Sequence, residues 1–124
     1  MGIREVFDIN REQIFIKTRA RQSGNDQYSK QNTTEKRGKF HVAREDGAYL
    51  YVNFTDYLDT GLFIDHRNMR ARIKDNSRGK AVLNLFAYTC TASVHAALAG
   101  AKKVTSVDLS QNYLDWGKQN FVLN

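Results

Sequence analysis

Apolar and polar positions in the second half of the chain change spacing in a regular order. A short β-branched and apolar run over residues 81–85 gives way to a small polar turn, and residues 92–100 then follow helical spacing. A second β-branched run over residues 104–107 ends in Asp108. This order predicts a β-α-β unit with two buried parallel strands and a carboxylate at the end of the second strand.

The first half of the chain has the alternation of paired strands. Residues 40–44 and 49–54 alternate around a turn that contains Gly47, which predicts an antiparallel hairpin. Residues 13–19 alternate as well and predict a further strand. Residues 21–38 carry one aromatic and no aliphatic side chain, so we expect a mobile, basic loop there.

Two helices complete the predicted organisation. Residues 66–76 are compatible with a helix, and Ser110 is a plausible N-cap for a final helix that carries Tyr113 and Trp116. We therefore expect an antiparallel β element in residues 1–60 and the first part of a Rossmann-like α/β domain in residues 61–124. Two parallel strands need cover on both faces, so the pattern is typical of a truncated sheet.

The carboxylate of Asp108 suggests the chemistry of the unit. An acid at this place can accept hydrogen bonds from the two hydroxyls of a ribose, which favours a nucleoside cofactor. The turn over residues 86–91 lacks the glycines that let a backbone approach a pyrophosphate. S-adenosylmethionine carries no phosphate and therefore fits better than NAD. The alternative is that Asp108 merely ends a strand.

Residues 53–67 mix aromatic side chains with carboxylates. Such a segment suits a pocket wall that stacks a base and holds a charged group. The alternative is plain packing of a helix onto the sheet by the apolar members, which are Leu58, Leu62, Phe63 and Ile64.

Charge and cysteine content narrow the class of protein. The 124 residues carry a net charge of +6, with the excess of Lys and Arg concentrated in the first third, which suggests an anionic partner such as RNA. One cysteine allows no internal disulfide. We expect a cytoplasmic protein without a membrane span and, since His41, His66 and Cys90 lack metal-ligand spacing, without a metal.

Three strings make the resemblance to a known family specific. Residues 52–67 read VNFTDYLDTGLFIDHR, residues 83–89 read LNLFAYT, and residues 106–116 read SVDLSQNYLDW. They closely resemble the C-terminal methyltransferase half of the bifunctional large-subunit ribosomal RNA guanine methyltransferases, the K/L family of Gram-negative bacteria. The resemblance also includes residues 19–22 and the polar loop that follows, so it extends over nearly the whole chain.

This resemblance implies a class I S-adenosylmethionine-dependent fold that, in its complete form, methylates N7 of a guanine in 23S rRNA. The family's Asn/Asp-Pro-Pro motif, which holds the target base, is absent from these residues. We therefore expect a fragment that is inactive on its own. Whether its open sheet edge drives self-association is left open by the sequence. Two alternatives stay open: a cytosine-C5 methyltransferase fragment with a cysteine nucleophile further downstream, and an RNA-binding module without chemistry.

The resemblance also assigns cofactor-binding residues. It implies that the turn carries the methionine part of the cofactor, that Asp108 binds the ribose and that Leu109 lies against the adenine. The family's Thr-Gly-x-Phe-x-Asp-x-Arg motif adds a second segment, in which Asp65 or Arg67 meets the charged end of the cofactor or pairs internally. The predicted cofactor-binding residues are Thr60, Phe63, Asp65, Arg67, Asn84, Phe86, Ala87, Tyr88, Thr89, Asp108 and Leu109. No catalytic side chain is predicted.

One position departs from the family, which has glycine where this chain has Cys90. If that position has positive φ, a Cβ costs on the order of 1 kcal/mol and crowds the pocket, so we expect weaker cofactor binding. Cys90 is not expected to be catalytic, because no general base lies near it in the sequence.

Overall fold

The computed structural model describes residues 2–17 and 39–124. The predicted mobile loop of residues 21–38 lies outside these residues, as does the end of the strand predicted over 13–19. Within the described part, helix α1 is Ile3–Phe7 and residues 11–13 form one 3-10 turn.

The predicted strand over residues 13–17 is wrong, because these residues form no strand. Side-chain contacts, and not the backbone hydrogen bonds of a strand, fix this segment to the rest of the chain. The ammonium of Lys17 donates to the carbonyl oxygen of Tyr57 at 2.7 Å, and the ring of Phe15 stacks on that of Phe54 with centroids 5.1 Å apart. Burial lowers the pKa of Lys17.

The predicted hairpin is confirmed. Strands β1, Phe40–Glu45, and β2, Ala48–Asn53, pair antiparallel, with Phe40 opposite Asn53 and Glu45 opposite Ala48. The two turn residues, Asp46 and Gly47, both have positive φ, at 47° and 83°. Positive φ at both positions is what a tight hairpin turn between twisted strands requires.

The predicted β-α-β unit is also confirmed. In chain order, the elements are helix α2 (Arg67–Ser77), strand β3 (Ala81–Leu85), helix α3 (Thr91–Leu98), strand β4 (Lys103–Val107) and helix α4 (Gln111–Leu123). Strands β3 and β4 pair parallel from Ala81 opposite Lys103 to Leu85 opposite Val107. The hydroxyl of Ser110 accepts from the backbone N–H of Tyr113, so Ser110 caps α4 as predicted.

The hairpin and the segment that follows it pack against helices α3 and α4. Ala48 and Leu50 of β2 pack against Val94 of α3, with Leu62 at the edge of this cluster. A second cluster joins Tyr57 to Tyr113 and Trp116 of α4. The hairpin is thus packed onto helices α3 and α4, whereas a domain boundary at residue 60 stays a prediction.

The expectation that both parallel strands are buried is wrong. Leu83 and Leu85 are 61% and 57% exposed, and Val107 of β4 is 48% exposed. Asn84 and Ser106 reach Ser93 of α3, so the alternate residues point away from that helix. In the described part of the chain, one face of the parallel sheet is covered and the other, the bare face of Leu83, Leu85 and Val107, is open.

Candidate functional site

The turn between β3 and α3 lies at the carboxyl end of both parallel strands. Phe86, Tyr88 and Cys90 alternate through it with positive φ values of 55°, 52° and 59°. For residues with a Cβ this conformation costs on the order of 1 kcal/mol each. The N–H of Ala87 donates to the carbonyl of Val107 at 2.9 Å, which ties the turn to the end of β4. Such strain at the carboxyl edge of a parallel sheet is typical of a ligand site.

Asp108 locks this turn from the neighbouring strand end. Its carboxylate accepts the N–H of Tyr88 through Oδ2 at 2.8 Å and the N–H of Ser110 through Oδ1 at 2.9 Å. A carboxylate can accept about four hydrogen bonds, so the partly exposed side chain keeps acceptor capacity on both oxygens. Asp108 is therefore both fixed in position and able to accept from hydroxyl groups of a ligand.

Gly61 joins the segment of residues 60–67 to the same turn. Its N–H donates to the hydroxyl of Tyr88 at 2.8 Å, and its carbonyl accepts from the hydroxyl of Thr89 at 2.6 Å. Gly61 has a φ of 94°, and a Cβ built on it would lie 2.2 Å from Cζ2 of Trp116. Only glycine fits here, which explains the Thr-Gly of the motif in physical terms.

Asn120 of α4 braces the turn from behind. Its Nδ2 donates to the carbonyl of Thr89 at 2.9 Å, while its Oδ1 accepts from the N–H of Tyr51 on β2 at 2.8 Å. Burial raises the pKa of the neighbouring Tyr88 far above its usual range, so its phenol stays neutral. The turn is thus a rigid shelf held by β2, β4 and α4.

A groove of about 330 Å³ opens between this turn and helix α2. Helix α2 contributes Met69, Arg70 and Ile73 to the groove, and the 3-10 turn Ile64–His66 before it contributes His66. None of these four residues was predicted as a site residue. Their spacing of i, i+3, i+4 and i+7 places them on one helical face, and this pattern is the signal that could have found them. The volume is at the low end of the range for small-molecule sites.

Five of the predicted site residues line the groove, namely Phe63, Asn84, Phe86, Ala87 and Tyr88. The rings of Phe63 and Tyr88 contact each other with centroids 4.8 Å apart. Phe86 is almost fully exposed, at 88%, although it follows a strand. The groove therefore combines an aromatic wall with the amide of Asn84, which donates to Ser93 at 2.8 Å.

The other predicted site residues lie around the groove and do not line it. Thr60 donates to the carbonyl of Leu62 at 3.3 Å, and Thr89 is buried beneath the turn. Asp65, in the 3-10 turn Ile64–His66, and Arg67, the first residue of α2, are both exposed. Asp108 and Leu109, the latter 91% exposed, lie at the adjacent strand end. The alternative interpretation assigns plain packing to the apolar residues of this segment. Leu62 does pack on the core, whereas Ile64 is 78% exposed.

Arg70 links the groove to the hairpin. Its guanidinium donates to both carboxylate oxygens of Glu45, at 2.6 and 2.9 Å, and to the carbonyl of Phe63 at 2.8 Å. The hydrogen bond from Arg70 holds the pKa of Glu45 below its usual value. His95 lies buried beside this pair with Nε2 3.5 Å from Glu45 Oε1. Arg70 thus positions the backbone that carries the Phe63 ring.

Cys90 has the positive φ that the family's glycine suggests, but its side chain does not line the groove. It points at Gly117 of α4, where an added Cβ would lie 2.5 Å from Sγ. Burial raises the pKa of the thiol, so Cys90 stays protonated and is a poor nucleophile. The side chain of Cys90 therefore does not crowd this groove, and weaker cofactor binding stays a prediction.

Neither a metal centre nor a membrane span is found in the ranges 2–17 and 39–124. No three His, Cys, Asp or Glu side chains are grouped there as metal ligands. Likewise, no helix in these ranges has the length and apolar character needed to cross a bilayer.

The chain is similar to known proteins in both sequence and structure. The chain is 94% identical over all its residues to a ribosomal RNA large subunit methyltransferase K/L from Psychrobacter arcticus, of which it spans 16%. It resembles a SAM-dependent methyltransferase structure from Agrobacterium tumefaciens at 35% identity and a TM-score of 0.64, covering 73% of this chain and 30% of that one. A methyltransferase complexed with S-adenosylhomocysteine matches at 36% identity and a TM-score of 0.66, covering 73% and 24%.

A family model matches most of the chain and is not limited to the separate motifs. A family model described as S-adenosylmethionine-dependent methyltransferase matches residues 15–124. The match includes the hairpin, the Thr-Gly motif, the shelf and Asp108. The chain therefore belongs to the S-adenosylmethionine-dependent methyltransferase family.

Proposed function

We propose that these 124 residues are the cofactor-holding part of an enzyme that methylates N7 of a guanine in 23S rRNA. The observation that carries the proposal is the carboxylate of Asp108, fixed by two backbone N–H groups beside a strained turn and still able to accept hydrogen bonds. The names of the curated relatives support ribosomal RNA as the substrate. With ribosomal RNA as its substrate, the reaction would take place in the cytoplasm.

The residues present fit S-adenosylmethionine. Asp108 would accept from the ribose hydroxyls, and the exposed Leu109 beside it offers an apolar surface for the adenine. The groove along Phe86 and Tyr88 would take the methionine part. Asp65 and Arg67, both exposed and on either side of the groove residue His66 in the sequence, offer opposite charges for the amino and carboxylate groups.

The chemistry needs positioning more than proton transfer. S-adenosylmethionine supplies a methyl group on a positively charged sulfur, and N7 of guanine has a lone pair that accepts it without a base. Holding the donor rigidly therefore accounts for most of what the protein must do. The protonated Cys90 and the neutral Tyr88 are suited to packing and hydrogen bonding. Cytosine-C5 transfer needs a cysteine nucleophile. The buried Cys90 is unsuited to that role, so this alternative depends on a cysteine further downstream.

Isothermal titration of S-adenosylmethionine into wild type and Asp108→Asn tests the cofactor site. We expect the variant to bind about 10- to 100-fold more weakly, because a hydrogen bond to a charged group contributes about 1.5–3 kcal/mol. Asp115→Asn is the matched control, since it removes the same charge from an exposed carboxylate that pairs with Lys118. Equal affinity for all three proteins, with thermal unfolding confirming that each is folded, would show that Asp108 does not bind the cofactor.

We propose further that the 124 residues bind the cofactor without turnover. They contain no proline, so the Asn/Asp-Pro-Pro motif that the family resemblance assigns to the target base is absent from them. Incubation with labelled S-adenosylmethionine and 23S rRNA lacking the modification should leave the RNA unlabelled. Incorporation of label by the purified 124 residues would refute this part of the proposal.

A further inference from the structure

Four exposed cations converge at the amino ends of β3 and β4, opposite the edge that carries Asp108. They form what we call the basic corner, which consists of Arg78, Lys80, Lys102 and Lys103. Arg78 and Lys80 precede β3, Lys102 precedes β4, and Lys103 is the first residue of β4. Because the two strands are parallel and in register, both pairs lie at the same end of the sheet.

Backbone hydrogen bonds hold the basic corner in place. The N–H of Lys102 donates to the carbonyl of Lys80 at 2.8 Å, and the N–H of Gly79 donates to the carbonyl of Gly100 at 2.8 Å. Both glycines have positive φ, at 71° and 87°, so each segment turns sharply into its strand. The four cationic side chains therefore start from a fixed backbone, which lowers the entropy lost on binding an anion.

The charge of the basic corner is not neutralised locally. Between Asp65 and Asp108 the sequence contains one acidic residue, Asp75. None of the four corner cations forms an ion pair with a described residue. By contrast, Lys74 pairs with Asp46 at 3.1 Å and Lys118 pairs with Asp115 at 2.8 Å.

We propose that the basic corner binds phosphates of the RNA substrate away from the methylated base, an inference that rests on the proposed function. A five-residue strand separates the corner from the Asp108 edge by about 17 Å. At a rise of about 3.4 Å per stacked nucleotide, this distance corresponds to about five nucleotides. The corner adds affinity and orientation, and base recognition takes place at the other edge.

The test measures RNA affinity against salt concentration. The corner variant is Arg78→Gln, Lys80→Gln, Lys102→Gln and Lys103→Gln. The control variant is Arg72→Gln, Lys74→Gln and Lys118→Gln, which removes three charges from partly or fully exposed sites outside both the corner and the basic first third of the chain. Binding of a fluorescent RNA hairpin of about 20 nucleotides is followed between about 50 and 300 mM salt by anisotropy.

The corner variant should bind RNA about tenfold more weakly or worse at the lowest salt. Its plot of log affinity against log salt should be shallower by about 3, since each lost phosphate contact removes about 0.7 to 0.9 from the slope. The control variant should lose much less. Equal losses in both variants would overturn the proposal, because binding would then follow net charge and not the corner.

Protection of the wild-type lysines provides a measurement that needs no substitution. Acetylation of the protein with and without the hairpin, read by mass spectrometry, should show protection of Lys80, Lys102 and Lys103. Lys74 and Lys118 should react equally in both samples. Unprotected corner lysines at saturating RNA would overturn the proposal.

Two further arms separate the outcomes. Polyglutamate and unlabelled RNA are each used to compete with the labelled hairpin. If polyglutamate competes as effectively as RNA, the corner binds an acidic protein partner, which also overturns the proposal. Titration of S-adenosylmethionine into the corner variant should match wild type. If the corner variant loses RNA binding and keeps cofactor binding, the corner and the cofactor site are separate. If the wild type binds RNA at the corner but does not bind S-adenosylmethionine, only the proposed function is refuted.

Discussion

The two sheets of this chain have two strands each and opposite surroundings. In the hairpin, Leu50 of β2 is fully buried against α3, whereas Leu83 of β3 is 61% exposed on the bare face. Both are leucines in strand centres, and the sequence alone gives no reason to separate them. The difference shows that the hairpin completes a core with helices α3 and α4, while the parallel sheet presents its edge and one face for further contacts.

The largest expected effect concerns the buried ion pair on the hairpin side. Arg70→Leu leaves the carboxylate of Glu45 buried without its main partner, so we expect the unfolding free energy to fall by about 3–5 kcal/mol. Lys74→Leu removes the partly exposed pair with Asp46 and should cost at most about 1 kcal/mol. Urea unfolding at pH 7 measures both, and similar costs would mean that the hairpin is not clamped by Arg70.

The pH dependence sharpens this result. Arg70 lowers the pKa of Glu45 below its ordinary value of 4.5, so the stability contributed by this carboxylate is complete above that pH and is lost as the pH falls further. In Arg70→Leu, desolvation instead disfavours the charged carboxylate, and protonation relieves the cost. The difference between the two proteins should therefore shrink between pH 7 and pH 4, and a constant difference would contradict the assignment.

The next effect compares the two leucines directly. Leu50→Ala should lower the unfolding free energy by about 2–5 kcal/mol, since it leaves a cavity beside Val94. Leu83→Ala should change it by about 0.5 kcal/mol or less, as for other surface positions. If the bare face drives self-association, sedimentation of the wild type will depend on concentration and that of Leu83→Ser will depend on it less. Equal costs for the two alanine variants at low concentration would erase the contrast between the sheets.

The sequence predicts the elements of both sheets but not what covers them. Periodicity locates the hairpin, the β-α-β unit and the cap at Ser110, because each depends on local spacing and turn chemistry. It fails for residues 13–17, where the ammonium of Lys17 binds carbonyl oxygens about 40 positions away. Exposure of Leu83 also depends on non-local cover. An apolar run therefore identifies a strand without telling whether its faces are buried.

For the candidate site, a motif gives the residues but not their roles. Gly61 is in the Thr-Gly motif, yet only the structure shows that its hydrogen in place of a Cβ admits the ring of Trp116. Arg70 received no sequence prediction, because its partner Glu45 lies on the hairpin and is 25 positions away. Long-range pairs of this kind leave no periodic signal, so they are found only when the elements are packed.

The smallest effect tests how tightly the shelf and α4 fit together. Gly117→Ala places a Cβ 2.5 Å from Sγ of Cys90 and 2.9 Å from its Cβ, and such overpacking costs about 1–3 kcal/mol. Alanine also favours the helix by up to about 1 kcal/mol over glycine, so the net loss should be about 0–2 kcal/mol. Urea unfolding of Gly117→Ala, of Cys90→Gly and of the double variant measures the coupling energy between the two positions.

In the Cys90→Gly background the clash is absent, and the nearest remaining atom is the Thr89 carbonyl oxygen at 3.4 Å. Gly117→Ala should then be neutral or stabilising, which gives a coupling energy of at least about 1 kcal/mol between the two positions. Such a value would mean that this chain tolerates a cysteine at a left-handed position because α4 leaves room for it. Additive effects within about 0.3 kcal/mol would show instead that the shelf and the helix adjust independently, and that the packed side of the molecule is looser than its buried contacts imply.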